Sequence, residues 1–271
     1  MSVDLKVENI SFSYGATEVL KGVSFELSEP NLTCIIGPNG VGKTTLARCV
    51  NRLLRPLSGR VTLDGTDIND MTLRELAVRI GYVPNSSGDT FPMSVMDTVL
   101  MGRHPRAGWT TSDHDLEVVE ETIRTMGLEE YMMRDFNELS AGQHQRVMIA
   151  RGLAQEPDLL ILDEPTSNLD VRHQMEVMEL LRRLTRERGI TILMVCHDLN
   201  ITARYADRIL MMSEGKIHSD GTAAEVMTER SIMDVYGVRS QLIEVERRPH
   251  IILLSTLEDQ YQSKERLEGY E

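Results

Sequence analysis

Residues 37–45, GPNGVGKTT, combine three glycines with a lysine and two threonines at a spacing suited to phosphate chemistry. They fit the pattern G-x-x-x-x-G-K-[ST], in which glycines let the backbone wrap an anion and point its amides inward. The lysine charge can reach the β- and γ-phosphates of a nucleotide, and the Thr44 hydroxyl can hold Mg²⁺. We call this segment the phosphate loop, and the residues in it that we expect to contact the nucleotide are Gly37, Pro38, Asn39, Gly40, Gly42, Lys43, Thr44 and Thr45.

The elements on both sides of the loop match this interpretation. An apolar run at residues 32–36 predicts a strand before the loop, and the apolar residues between Leu46 and Leu54 recur at helical spacing after it. A phosphate loop needs a strand before it and a helix after it. A glycine-rich turn without a ligand is the alternative, and this context disfavours it.

A pair of carboxylates, Asp163 and Glu164, follows the fully apolar run at residues 159–162. Such a run is typical of a central parallel strand, and ligands of α/β sheets bind at the carboxyl ends of strands. Because Mg²⁺ prefers oxygen ligands, Thr44 and Asp163 are the predicted metal ligands. Glu164 can then act as the general base on water. A solvated turn is the alternative interpretation of the two carboxylates.

His197 repeats this arrangement after a second apolar strand, residues 190–196. A lone histidine after an apolar strand is commonly a satisfied edge residue. Here it falls at the same end of the predicted sheet as the phosphate loop. We therefore predict a polar contact from His197 to the γ-phosphate.

The remaining elements predict an α/β fold around these residues. Residues 3–27 alternate in the manner of three short strands, and the aromatic ring of Tyr14 could stack on an adenine or simply lie half-buried on a strand. Further strands are predicted at 58–63, 80–83, 209–212, 216–218, 242–245 and 251–254, and helices at 73–79, 95–101, 116–126, 143–154 and 171–188. Asp170 is the predicted N-cap of the last helix and Gly189 its end.

The segment at residues 139–146, LSAGQHQR, resembles the LSGGQ signature of ATP-binding cassette (ABC) ATPases, and we call it the signature segment. The phosphate loop, LLILDEP, SNLD at residues 167–170 and His197 occur in the order of that family, so the resemblance covers roughly residues 3–240. It implies a P-loop NTPase core, with a mostly parallel sheet flanked by helices, an N-terminal antiparallel β subdomain and a helical insert. The expected division is 1–85 with 157–255 for the core and β subdomain, 86–156 for the insert, and 256–271 for a polar tail.

The same resemblance implies that two copies of the chain sandwich two ATP molecules. Ser140 and Gly142, with Gln143, would bind the nucleotide held by the second copy, and Asp170 would lie at the shared interface. The N-terminus of a helix that follows Ser140 would supply donors for an anion, which agrees with this role. Tyr14 resembles the adenine-stacking aromatic of the family.

Two positions depart from the family pattern. Ala141 stands at a signature glycine, a change that allowed backbone angles can accommodate. Asn85 stands where the family has a glutamine that reaches the metal and the attacking water and links the site to a membrane partner. We predict that Asn85 keeps the contact to Mg²⁺ through a bridging water.

Composition restricts the partners. The chain has 271 residues and a net charge of −13, from 29 Lys and Arg against 42 Asp and Glu, so nucleic acid is not an expected partner. No apolar run approaches the roughly 18–20 residues of a membrane span. The three cysteines lack C-x-x-C spacing, which disfavours a zinc site.

Residues 98–105, TVLMGRHP, resemble the corresponding segment in the ATPases of iron–siderophore, haem and cobalamin importers, although zinc and manganese importers carry similar segments. This resemblance implies an ATPase subunit at the cytoplasmic face of the membrane. It would be bound there to a polytopic permease and work with an extracytoplasmic substrate-binding protein. A cassette ATPase of an assembly or mechanical complex is the alternative class, and a nucleotide switch without hydrolysis is disfavoured by Glu164.

Overall fold

The computed structural model describes residues 3–85, 93–106 and 110–256. The strands are β1 (Leu5–Tyr14), β2 (Thr17–Leu27), β3 (Leu32–Ile36), β4 (Ser58–Leu63), β5 (Thr66–Asp67), β6 (Ile80–Val83), β7 (Leu159–Asp163), β8 (Thr191–Val195), β9 (Arg208–Ser213), β10 (Lys216–Gly221), β11 (Val238–Val245) and β12 (Arg248–Thr256). The helices are α1 (Lys43–Val50), α2 (Leu73–Arg79), α3 (Val95–Leu100), α4 (Asp113–Thr125), α5 (Ala141–Leu153), α6 (Val171–Arg188), α7 (Leu199–Tyr205), α8 (Ala223–Val226) and α9 (Glu229–Tyr236).

A six-stranded sheet in the order β10-β9-β3-β8-β7-β6 forms the centre of the fold. All of its pairs are parallel except β10 with β9. Every residue of β3, β7 and β8 is buried, as expected for strands covered on both faces. Because parallel strands end at one edge, the segments that follow β3, β6, β7 and β8 all emerge together. This edge carries the phosphate loop, Asn85, Glu164 and His197.

A second, antiparallel sheet in the order β2-β1-β4-β5 packs against α1. The N-terminal residues form two long strands and not the three short ones predicted from alternation. The chain passes through a bulge in β1 between Val7 and Ile10, where Asn9 adopts a φ of 52°. The bulge shifts the side-chain alternation without ending the strand, which explains why sequence pattern suggests a break there.

The helices α3, α4 and α5 pack together around Val95, Val119 and Val147. Serine side chains at Ser94, Ser112 and Ser140 cap their N-termini. The helix predicted from residue 143 begins earlier, at Ala141, directly after its cap. Helix α4 begins at Asp113 after Ser112, a pair that already indicates a helix start in the sequence.

A buried ion pair joins the segment after α3 and the start of α4 to the end of α5. The guanidinium of Arg103 donates to Asp115 at 2.8 Å, to Glu156 at 2.7 Å and to the carbonyl oxygen of Ala154 at 2.7 Å. Hydrogen bonds from Ser112 and Arg103 hold the pKa of the Asp115 carboxyl far below its usual range. Arg103 and Asp115 are thus paired and ionised in the interior.

The C-terminal part agrees with the prediction for α6, which Asp170 caps and Gly189 ends in the left-handed conformation, with a φ of 66°. The short helices α7, α8 and α9 were not predicted. The predicted strand at 251–254 belongs to β12, which pairs with β11 in a separate two-stranded sheet. The predicted polar tail lies outside the described residues from 257 onward, as do residues 86–92 and 107–109 of the predicted insert.

Among residues 3–85, 93–106 and 110–256, no helix is both long enough and apolar enough to cross a membrane.

Candidate functional site

The phosphate loop joins β3 to α1 through backbone conformations that glycine adopts readily. Gly37 has a φ of 148° and Gly42 a φ of 106°. A Cβ atom at position 37 would lie 2.4 Å from the carbonyl oxygen of Met212, so only glycine fits there. Gly42 occupies the N-cap position of α1 and has no side chain with which to cap the helix amides. Those amides are therefore available to an anion.

Lys43 folds back over the loop. Its ammonium group donates to the carbonyl oxygens of Gly37 at 2.8 Å and Pro38 at 2.9 Å, and only 5% of the residue is exposed. Burial lowers the pKa of Lys43, whereas the charges of Glu164 and Asp163 oppose that shift. The loop thus holds a buried cation beside two carboxylates.

Thr44 and Asp163 meet at the loop, as a magnesium site requires. The Thr44 hydroxyl donates to Asp163 Oδ1 at 2.8 Å, and the Tyr82 hydroxyl donates to Asp163 Oδ2 at 3.3 Å. Burial raises the pKa of the Tyr82 phenol, which therefore stays a donor. The adjacent hydroxyl and carboxylate oxygens are ligands of the type that Mg²⁺ prefers. Tyr82 was not predicted as a site residue.

Glu164 bonds through both of its carboxylate oxygens. His197 Nε2 contacts Oε1, and the side-chain amide of Asn85 donates to Oε2 at 2.8 Å. The backbone of Glu164 has a φ of 55°, a conformation that is uncommon for residues other than glycine. We predicted that Asn85 contacts the metal, and in the structure its side-chain amide is hydrogen-bonded to Glu164.

A cavity of about 300 Å³, which we call the loop pocket, opens over the phosphate loop. Tyr14 stands at its wall, half-exposed and edge-to-face with Phe12, with 4.9 Å between the ring centroids. A half-exposed ring on a pocket wall offers a face to a flat base. The structure therefore brings these residues together around one cavity: Tyr14, Val19, Asn39, Gly40, Gly42, Lys43, Thr44, Thr45, Glu164 and His197. Val19 among them was not predicted.

The signature segment forms a separate cavity of about 370 Å³, the signature pocket. Its lining residues are Gly127, Leu128, Glu129, Glu130, Tyr131, Ser140, Gly142, Gln143, Arg146 and His173. None of the described residues lines both cavities, so within one chain the structure does not bring Ser140, Gly142 and Gln143 to the phosphate loop.

Ser140 and Gln143 form a reciprocal cap at the start of α5. The backbone N–H of Gln143 donates to Ser140 Oγ at 3.4 Å, and the side-chain oxygen Oε1 of Gln143 accepts from the backbone N–H of Ser140 at 2.9 Å. The Ser140 hydroxyl acts as an acceptor in this cap, so its proton can be given to a ligand. The cap occupies the backbone N–H groups of Ser140 and Gln143, so the Ser140 hydroxyl and the first amides of α5, at Ala141 and Gly142, are the donors left for a ligand.

His173 connects the signature segment with Asp170. The Asp170 carboxylate bonds to the backbone amide of His173 at 3.0 Å and to its ring at 2.8 Å. These bonds lower the pKa of the Asp170 carboxyl. A Cβ atom at Gly142 would lie 2.8 Å from the His173 ring, so the ring packs directly on that glycine. Sequence gave no signal for His173, because the contact joins two separate helices.

Comparisons with known proteins identify the family. A family model described as ABC transporter matches residues 20–167. The chain is similar to the hemin import ATP-binding protein HmuV of Rhodopseudomonas palustris, with 40% identity over 88% of this chain and 90% of the relative. A solved metal-chelate type ABC transporter in an inward-facing conformation superimposes with a TM-score of 0.81 at 28% identity, covering 94% of this chain and 98% of that one. A dimeric ATP-binding cassette in a post-hydrolysis state, bound to ADP and Pi, superimposes with a TM-score of 0.71 at 29% identity, over 80% of this chain and 98% of that one.

Proposed function

Since this chain belongs to the ABC transporter family, we propose that it hydrolyses ATP to drive an importer whose cargo is a metal chelate. The proposal rests on the residues that meet at the edge of the central sheet. There a buried lysine, Thr44 and the Glu164–His197 pair line one cavity, and Asp163 accepts a hydrogen bond from Thr44. Both the family and the α/β fold predicted from sequence are confirmed by the comparisons. The cargo class rests on the names of a similar hemin import protein and a similar metal-chelate transporter.

Contacts at the loop support a role for each catalytic residue. Glu164 is the general base, because its carboxylate lies at the loop and can take a proton from water. His197 and Lys43 bind the γ-phosphate through donors that already lie at the loop pocket. The glycine backbone and the free amides of α1 bind the remaining phosphate oxygens. Bound through Thr44 and Asp163, Mg²⁺ would offset the phosphate charge.

A second copy of the chain completes the site. The signature pocket holds the donors of a capped helix N-terminus but none of the residues of the loop pocket. In a head-to-tail dimer, Ser140, Gly142 and Gln143 of one copy would bind the γ-phosphate on the loop of the other. Support comes from the similar cassette that was solved as a dimer with ADP and Pi.

The membrane partners follow from the importer assignment. The chain would bind a polytopic permease at the cytoplasmic face of the cell membrane. An extracytoplasmic substrate-binding protein would deliver the chelate to that permease. The ATPase then supplies the energy, and the permease and the binding protein select the cargo.

Affinity purification of the tagged chain from detergent-solubilised membranes of its own cells tests this proposal, with mass spectrometry of the captured proteins and a phosphate-release assay on the complex. We expect a polytopic membrane subunit and ATP-dependent phosphate release, both with the unmodified chain. A Lys43→Ala chain is the matched control, which should retain the membrane subunit and lose phosphate release. Capture of ribosomes or an assembly scaffold without a membrane subunit would overturn the importer assignment.

A further inference from the structure

Asn85 makes a direct contact to the proposed general base. Its Nδ2 lies 2.8 Å from Glu164 Oε2. A carboxylate only accepts hydrogen bonds, so the amide must turn its NH₂ group toward Glu164 and its oxygen away. The contact is therefore a donor held against one named oxygen of the base.

The register of the central sheet produces this contact. Val83 of β6 pairs with Leu162 of β7 in parallel register. Asn85 and Glu164 are each two residues further along, so the two strands deliver them side by side. A glutamine at position 85 would carry its amide one carbon–carbon bond, roughly 1.5 Å, beyond this point. The shorter side chain matches the distance to the carboxylate.

The two oxygens of Glu164 have different partners. Asn85 contacts Oε2 and His197 contacts Oε1. If His197 turns to the γ-phosphate when ATP binds, Oε1 becomes free to accept a proton from water. Oε2 remains bonded to Asn85, which fixes the direction in which the base points.

We propose that Asn85 is a positioning residue for Glu164, acting on the base directly and not through the metal ion. This inference rests on the proposed role of Glu164 as the general base. Asn85 anchors Oε2, and the water proton passes to Oε1 as the water oxygen attacks the γ-phosphorus and the bond to the ADP oxygen breaks. Asn85 exchanges no proton in this step.

Asn85→Asp separates the two possible roles of this side chain, because aspartate has the same shape but cannot donate when ionised. A positioning role predicts that it repels Glu164 and lowers kcat further than Asn85→Ala does. A metal-ligand role predicts the reverse, since a carboxylate binds Mg²⁺ more strongly than an amide does. The two roles thus give opposite orders for one pair of variants.

The measurements are steady-state ATP hydrolysis over a Mg²⁺ titration and binding of a fluorescent ATP analogue in the absence of turnover. For Asn85→Ala we expect kcat to fall about 10- to 100-fold, the effect of losing a hydrogen bond to a charged group. The KM for ATP, the Mg²⁺ concentration at half-maximal rate and the affinity for the analogue should stay within about twofold, because positioning acts on the chemical step. An increased Mg²⁺ requirement in Asn85→Ala, or a decreased one in Asn85→Asp, would overturn the proposal. The exposed position of Asn85 favours normal folding, which thermal unfolding of each variant checks.

A double variant distinguishes failure of this inference from failure of the proposed function. In a Glu164→Gln background there is no base to orient, so adding Asn85→Ala should leave the residual single-turnover rate unchanged. If that rate falls further by the full factor, Asn85 acts independently of Glu164 and only the inference fails. If Glu164→Gln alone hydrolyses ATP normally, the base assignment in the proposed function fails.

Discussion

The loop pocket and the signature pocket offer different groups to the phosphate that we propose they share. At the loop pocket the polar side chains already have partners within the chain: Lys43 bonds to loop carbonyls, Thr44 to Asp163, and Glu164 to His197. At the signature pocket the key donors belong to a capped helix N-terminus. One side supplies charge and metal ligands, and the other supplies oriented neutral donors. We propose that neither is sufficient alone, and a chain that carries both at separate places is suited to pairing with its own copy.

The two pockets also differ in the interactions that fix the positions of their residues. The loop pocket lies at the edge of buried parallel strands, whose register fixes the spacing of its residues. The signature pocket lies between helices α5 and α6 and depends on side-chain caps and on the packing of His173 against Gly142. Changes in the first region should therefore alter chemistry, and changes in the second should alter assembly.

Glu164→Gln should give the largest effect. Loss of the general base lowers the rate by roughly 10²–10⁴-fold, which corresponds to about 3–5 kcal/mol of barrier. Because glutamine keeps the shape and the signature pocket is untouched, ATP binding and dimer formation should remain. Phosphate release measures the rate, and size-exclusion chromatography with ATP should show an accumulated dimer. Near-normal turnover in this variant would show that another group activates the water.

Much of the loop pocket could be predicted because its signals are local. The phosphate loop is a continuous pattern between a strand and a helix, and Asp163 and Glu164 follow an apolar strand directly. Parallel strands end at one edge, so strand order alone explains why distant segments meet there. Helix α6 was predicted with its bounds because both a cap and a terminal glycine mark it.

The remainder depends on tertiary packing that one sequence does not encode visibly. The contacts of Tyr82 with Asp163 and of Asn85 with Glu164 both require the register between β6 and β7. The contact of His173 with Gly142 requires the packing of α6 on α5. The short helices α7 and α8, of 7 and 4 residues, offer too few turns for a periodic pattern to be detected.

Mixing two inactive variants should test the division between the pockets. Lys43→Ala damages the loop pocket and Ser140→Ala damages the signature pocket, so each variant alone should lose most phosphate release. In a head-to-tail dimer of one Lys43→Ala copy and one Ser140→Ala copy, one site carries both defects and the other carries neither. In an equal mixture about half of the dimers pair the two variants, and each of these has one intact site of two. Single-turnover phosphate release should therefore reach about a quarter of that of the unmodified chain.

The matched controls for this experiment are the two variants at the same total concentration without mixing. ATP binding to the separate Ser140→Ala chain should be unchanged, because its loop pocket is intact. Absence of any recovery on mixing, with both variants folded, would contradict a site shared between copies.

Gly142→Ala should have an intermediate effect that arises from packing. The added Cβ would lie 2.8 Å from the His173 ring, which Asp170 holds in place. The ring or α5 must shift, and we expect hydrolysis to fall about tenfold, which corresponds to about 1.4 kcal/mol of barrier. Replacing His173 with alanine in the same chain removes the clash and should restore most of the rate. Equal loss in the single and double variants would show that the glycine backbone itself contacts the ligand.

Tyr14→Ala should give the smallest effect, and it should appear only in affinity. Stacking a base on an aromatic ring contributes about 1–3 kcal/mol, and the lower end suits a ring that is half-exposed, so ATP affinity should fall about fivefold. Tyr14→Phe keeps the ring face and should bind within about twofold of the unmodified chain. Because the adenine lies away from the reacting phosphate, kcat at saturating ATP should stay the same in both variants. Equal ATP affinity in Tyr14→Ala and the unmodified chain, measured by calorimetry, would remove Tyr14 from the nucleotide site and leave the loop pocket a site for phosphates alone.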